Sequence, residues 1–187
     1  SSSILARLTF GRSRLNIQIS NESSADIAKI HQVTERAFLN APHTDHTEQF
    51  IVNALRQSGM LTISLVAEDS GKIVGHVAVS PVTISDGSSG WYGLGPISVD
   101  PKFQGKGIGS KLMTGAIEAL KKINANGCVL LGDPDYYRRF GFIPNPDLIL
   151  PDVPPEYFLA LYLLENTKEN ASANGIVSYH QSFSATE

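Results

Sequence analysis

Leu94-Gly95-Pro96-Ile97-Ser98-Val99, continued by Asp100-Pro101-Lys102-Phe103-Gln104-Gly105-Lys106-Gly107-Ile108-Gly109-Ser110, sets the architecture of this 187-residue chain. The apolar run stops at Asp100-Pro101, because proline has no amide donor and a fixed φ. A glycine-dense loop follows. Beyond it Ile108, Leu112, Ala116, Leu120 and Ile123 recur at helical spacing, which leaves Lys111, Glu118, Lys121 and Lys122 for water. Strand, glycine loop and helix in that order set free backbone amides, with no Cβ in the way, at the positive end of a helix dipole. Such a place takes an anion, and its natural ligand is a phosphate or pyrophosphate.

The spacing narrows the ligand. Gly-x-x-x-x-Gly-Lys-Ser/Thr is absent, which disfavours a nucleotide P-loop. Gly-x-Gly-x-x-Gly is absent too, and no acidic residue follows where a ribose would need one. Gln104-x-x-Gly107-x-Gly109 stands instead. This resembles the Gln/Arg-x-x-Gly-x-Gly/Ala signature of the GCN5-related N-acetyltransferase (GNAT) family, whose loop binds the pyrophosphate of acetyl-coenzyme A. Tyr137-x-x-x-Gly141-Phe142 resembles a second segment of that family. Leu131–Pro134 and Tyr179-His180 resemble its YhbS-like bacterial subgroup.

Upstream, Leu15 to Ile19 alternates as a half-buried first strand does. Asn21 or Ser24 is the expected cap of a helix carrying Ile27, Ile30, Val33, Ala37 and Phe38. A second helix is expected from Thr44-Asp45 to Ser58-Gly59. Leu61 to Glu68 and Ile73 to Ile84 read as a hairpin around Asp69-Ser70-Gly71-Lys72, with Gly75 the candidate bulge. Trp91–Val99 is the next strand. Downstream, Asn126-Gly127 is expected to end the long helix, and Cys128–Leu131 reads as a buried strand that favours a parallel neighbour. Pro134 and Asp135 open a short helix that Gly141 closes. Tyr157–Leu164 reads as a strand, Asn166–Asn174 as a polar link, and Gly175–Phe183 as a terminal strand or arm.

The order βααβββαβαβ matches the family's across roughly residues 15–183. The resemblance implies an α/β fold of the mixed-sheet kind. In it, two central parallel strands, here Trp91–Val99 and Cys128–Leu131, splay apart between flanking helices to admit the cofactor. No repeat or long linker interrupts residues 15–187, which read as a single domain. Residues 1–14 carry Arg7, Arg12 and Arg14 with no acid. They are expected to be a tag-derived or poorly ordered extension, with a transit-peptide remnant as the alternative.

Composition excludes other classes. Hydrophobic content of 42% with 18% charged residues is that of a globular protein. A formal charge of −3 with no basic face argues against nucleic acid as a partner. No apolar run approaches the roughly 20 residues of a membrane span. The single cysteine, Cys128, excludes an internal disulfide, fits a cytoplasmic, reducing compartment and reads as core packing. The histidines are scattered apart from His43 and His46, so no metal spacing is present.

The resemblance implies acetyl-CoA as co-substrate and a primary amine, of a small molecule or a protein, as acceptor, with direct attack in a ternary complex. It implies that amides from Gln104 through Gly105, Lys106, Gly107, Ile108 and Gly109 to Ser110 hold the pyrophosphate. Glycine at 107 and 109 would let the backbone approach the phosphate oxygens. The pantetheine amides would pair with the freed edge at Ile97 and Val99 as an added strand does. Pro96, which has no amide, suits an interrupted ladder. The backbone N–H of Ile97 or Ser98 would polarise the thioester oxygen. Tyr137 is implied beside the cofactor sulfur as general acid; the alternative is aromatic core packing. For the base or the substrate side, the candidates are Glu35, His43, Glu48 and Asp133, with Asp45 and His46 nearby; Asp133 stands where the family often has asparagine. Proton removal through ordered water is a further route. Two other functions stay open: an acyl-CoA sensor of the same fold without turnover, and a nucleotide-dependent enzyme using the same loop. Monomer and homodimer are equally compatible with the sequence.

Overall fold

Ile17 and Ile19 turn inward on β1 (Ile17–Asn21), and the first helix follows after a 3₁₀ turn. Ser23, not Asn21 or Ser24, caps that turn, its backbone N–H and hydroxyl both donating to the Asp26 carboxylate at 2.8 and 3.0 Å, and Asp26 in turn stands at the cap position of the helix. That local ring satisfies donors the helix cannot. Helix α1 runs Ile27–Phe38 and α2 runs Glu48–Gln57. Helix α2 starts later than the expected Thr44-Asp45, because His43 and His46 adopt left-handed φ of 58° and hold a turn there. It ends as expected, Ser58 giving way to Gly59 at φ 75°. The computed structural model describes residues 15–164 and 172–187. The expected extension at 1–14 and most of the expected polar link at 166–174 lie outside them.

Strands β2 (Ile63–Asp69) and β3 (Lys72–Ile84) form the expected hairpin. Ala67 faces Gly75 and Glu68 faces Ile73, so the bulge is at Val74, beside the glycine named for it. Strand β4 (Trp91–Val99) pairs antiparallel with β3. A second bulge there sets Gly95 and Pro96 against Ala78, since Leu94 faces Val79 and Ile97 faces Val77. The long helix α3 (Ile108–Lys122) ends through Asn124 at φ 56°, one turn before the expected Asn126-Gly127. Gly127 instead opens β5 (Gly127–Leu131), where a Cβ would strike the Trp91 indole.

The described residues continue with α4 (Pro134–Tyr137), closed by a 3₁₀ turn and Gly141 at φ 93°. Two-residue strands β6 (Ile143–Pro144) and β7 (Leu148–Ile149) come next, then β8 (Phe158–Tyr162) and β9 (Gly175–Tyr179). Strand order is β1-β2-β3-β4-β5-β8-β6, with β9 alongside the far end of β3 at Val82–Ile84. Helix α3 covers one face with Ile108, Leu112, Met113, Ala116 and Leu120, all buried against Leu65, Val77, Val79 and Leu130. Helices α1 and α2 cover the other through Ile30, Val33 and Val52, against Val66, Ile73 and Ala78. Each such Leu, Ile, Val or Met side chain contributes roughly 1.5–3 kcal/mol by leaving water, the alanines less. Among the described residues, no helix is long and apolar enough to cross a membrane.

Candidate active site

The parallel pair β4 and β5 is joined only at Trp91–Gly127, Tyr92–Cys128 and Gly93–Val129. Both strands run on, to Val99 and Leu131, without further pairing. Beyond Gly93 and Val129 they part, and backbone groups of β4 lose their partners on that side. Which groups these are follows from the other edge. The Asp100 N–H donates to the Val74 carbonyl at 2.8 Å, and Ser98 faces His76 in the same ladder. Alternation along a strand then turns the N–H groups of Ile97 and Val99 toward the gap and that of Ser98 toward β3. The Ser98 side chain is buried on the α1 side, its hydroxyl unpartnered, so Ser98 presents neither group to the cleft.

The loop after β4 is fixed at both ends. Asp100 accepts from the Lys102 N–H at 3.0 Å and from Arg36 at 3.2 Å, which ties the loop to α1. Gln104 donates its side-chain amide to the Val99 carbonyl at 3.3 Å. Gly105 and Gly107 adopt φ of 75° and 81°, in the left-handed region that disfavours a Cβ, and Gly107 caps α3. Gly109 is helical; a Cβ there would point toward the Tyr136 hydroxyl at 3.5 Å and Val99 at 3.8 Å. So Gly107 is required by its backbone, whereas at Gly109 a Cβ would make ordinary contacts and only narrow the space beside Tyr136. These residues, with Ile108 and Ser110, line a hollow of about 350 Å³. Lys106 does not line it and sits over the Phe103 ring at 5.8 Å.

Tyr136 and Arg139 complete this hollow and were missed by the motif reading. Arg139 lies over the Tyr136 ring at 4.5 Å and donates from Nε to the Tyr136 carbonyl at 3.0 Å. The spacing Tyr136-x-x-Arg139 in a helical turn was the available signal.

A second cavity, of about 500 Å³, opens where the strands part. Leu94 to Ile97 and Leu130-Leu131 form its floor, and Tyr137 stands at its side. Gly132 makes room for the tyrosine: a Cβ there would collide with the Tyr137 ring. Burial, with a smaller effect of Tyr136, pushes the Tyr137 phenol above its ordinary pKa, so it stays protonated at neutral pH. Adjacent tyrosines thus serve adjacent cavities, Tyr136 at the glycine loop and Tyr137 at the cleft.

Of the acidic and histidine candidates, Glu48 alone lines the cleft among the described residues. Its Oε1 accepts from the Thr44 hydroxyl, and its Oε2 is buried without a hydrogen-bond partner. Glu35 lies on the exposed side of α1, with His31 3.9 Å away. His43 holds its turn, exposed to solvent. Asp133 is exposed and caps α4 by accepting from the Asp135 N–H at 2.9 Å. His46 bonds the Phe38 carbonyl through Nδ1 at 2.9 Å and supports the turn before α2.

The remaining walls come from far away in sequence. Tyr179 ends β9, and its ring packs where a Cβ on Gly93 would sit. Phe183 follows in a 3₁₀ turn capped by His180, and Ser182 reaches Ser58 at the end of α2 at 3.4 Å. Tyr179 stood in the Tyr179-His180 element of the resemblance but with no place in the cleft, and no local signal marked Phe183, because their position depends on β9 pairing across the sheet.

A family profile described as an acetyltransferase (GNAT) domain matches residues 61–144. The curated sequence of the uncharacterised N-acetyltransferase YhbS of Escherichia coli K12 is 33% identical over 150 residues, covering 79% of this chain and 89% of the relative. The chain belongs to the GNAT family of N-acetyltransferases. Solved GNAT structures agree with this one in fold. A GNAT acetyltransferase from Brucella melitensis, in complex with acetyl-CoA, is 44% identical with a TM-score of 0.77, covering 89% of this chain and 97% of its own. Escherichia coli YhbS in complex with CoA is 31% identical with a TM-score of 0.82, covering 92% and 94%. The parted pair β4 and β5 is thus this GNAT chain's counterpart of the splay that the glycine motif implied.

Proposed function

We propose that the protein transfers the acetyl group of acetyl-CoA to a primary amine by direct attack. The observation that carries this is the run from the glycine-loop hollow, along the unpaired edge of β4, into a cleft that holds both a protonated phenol and a carboxylate. The pyrophosphate lies against the amides of Gln104 to Ser110, with the Arg139 guanidinium beside it. Pantetheine amides pair with Ile97 and Val99 as a further strand. The thioester then reaches the floor of the cleft near Tyr137.

The amine nitrogen attacks the thioester carbonyl carbon, and the oxygen that gains charge is held by the Ile97 N–H. The carbon–sulfur bond breaks, and the departing thiolate takes the Tyr137 hydroxyl proton. Before the attack Glu48 receives the acceptor's ammonium group, takes one proton from it and passes that proton to water. After the attack the nitrogen gives its second proton to Glu48, which releases it likewise, and a neutral amide forms. Tyr137 is reprotonated from solvent, and CoA and the N-acetylated amine leave.

Thiol release with acetyl-CoA and a panel of amines is the test. Tyr137→Phe removes one oxygen and is expected to lower turnover about 10²-fold or more while acetyl-CoA still binds. Unimpaired turnover would return Tyr137 to a packing role, and binding without release across a broad panel would favour an acyl-CoA sensor.

A further inference from the structure

We infer that the acceptor is a compact hydrophobic primary monoamine, of the arylalkyl or branched alkyl kind, with Glu48 as the residue that selects its single ammonium. This rests on the acetyl-transfer reading above. Glu48 is the only charged residue that lines the cleft among the described residues. Its Oε2 is buried and unpartnered, an arrangement that a bound cation relieves. Around it stand Phe38, Ile51, Leu131, Tyr179 and Phe183, so whatever carries the ammonium meets apolar surface.

One buried carboxylate oxygen answers one positive charge. A polyamine or an aminoglycoside would bring further ammonium groups against phenylalanine and leucine, where nothing pairs with them. Size sets the second limit. The cavity of about 500 Å³ has to admit the thioester end of the cofactor as well as the acceptor. Shape sets the third. A lysine side chain offers one ammonium on an apolar stem, but it arrives with peptide on both sides. Phe38 stands at the end of α1 and Phe183 on the turn that Ser182 joins to Ser58, so the two rings wall the cleft from different elements.

The experiment compares 2-phenylethylamine and 3-methylbutylamine with spermidine, kanamycin and an N-terminally blocked lysyl peptide, using acetyl-CoA and following thiol release. The specificity constant for 2-phenylethylamine is expected to exceed those of the last three by about 100-fold, the size of discrimination an apolar pocket exerts against an added polar group. Glu48→Gln keeps the shape and removes the charge. It is expected to raise KM for 2-phenylethylamine about 10- to 100-fold and to leave KM for acetyl-CoA unchanged. Preference for spermidine, kanamycin or the peptide overturns the inference, and so does an unchanged amine KM in the variant. Calorimetry on the wild-type protein separates the two levels. Failure to bind acetyl-CoA counts against the acetyl-transfer reading itself. Binding of CoA followed by no uptake of 2-phenylethylamine overturns the acceptor class alone.

Discussion

His76 shows how much one buried side chain can set. It is fully enclosed on β3, with Nε2 2.7 Å from the Ser64 hydroxyl. Ser64 spends its one hydrogen on Glu22, so Nε2 carries the imidazole proton and Nδ1 is left buried without a partner. Arg56 holds Glu22 from its other side with bonds of 2.8 and 2.9 Å. Burial drives the His76 pKa down to about 4; the Glu22 charge opposes this, and Arg56 adds to it. In the unfolded chain the ring titrates near 6.5. Between those values the unfolded state binds a proton that the folded state refuses, so stability is full above pH 6.5 and falls as pH drops toward 4. The expected loss is about 3 kcal/mol across that window. Glu22 acts lower: burial would raise its pKa, but bonds from Arg56 and Ser64 hold it below the usual value, so its contribution fades only in stronger acid. Urea titrations of the wild type and of His76→Gln at several pH values check this; an equal slope in both would remove His76 as the cause.

The glycine loop and α3 show which elements announce themselves. Gly107 sits at φ 81° and caps α3, and that demand falls on one residue whatever the rest of the fold does. Gly107→Ala is therefore expected to cost about 1–2 kcal/mol in denaturant unfolding, the penalty of a left-handed alanine. It should also weaken acetyl-CoA binding about 10-fold, measured by calorimetry, since a misplaced loop loses amide contacts. Undiminished affinity would show that the loop binds without that conformation. The same locality made β4, α3 and the Gly141 stop legible. Where an element's limits depend on distant partners, the sequence was less informative. The two-residue strands β6 and β7 exist only as neighbours of β8 and β9. The start of α2 slipped because a turn through His43 and His46 competes with helix there, and positive φ at histidine leaves no periodic mark.

At the scale of the molecule, the glycine loop was readable but half the cleft was not. Glu48 stood among several acidic candidates until folding put it on the wall of the cleft that Ile97 also lines, while Tyr179 carried only a resemblance without a role and Phe183 had no motif at all. They arrive because β9 joins β3 at Val82–Ile84 and carries the following turn over to α2. Binding in a site built from so many elements stabilises all of them together. Acetyl-CoA at 100 times its Kd is expected to add about 2.7 kcal/mol of stability, which for a chain of this length is roughly 5–10 °C in Tm. ATP at the same concentration should leave Tm in place; an equal rise with ATP would revive the nucleotide reading.

Strand β4 offers one row of main-chain groups to β3 and the other to the gap, so under the proposed function the hold on a shared carrier is written in atoms every amino acid possesses. On the acetyl-transfer reading proposed above, the acceptor, by contrast, meets side chains from α1, α2 and the turn after β9. Point substitutions can therefore retailor what is modified without disturbing what does the modifying, and a lineage built this way diversifies its acceptors while its donor stays constant.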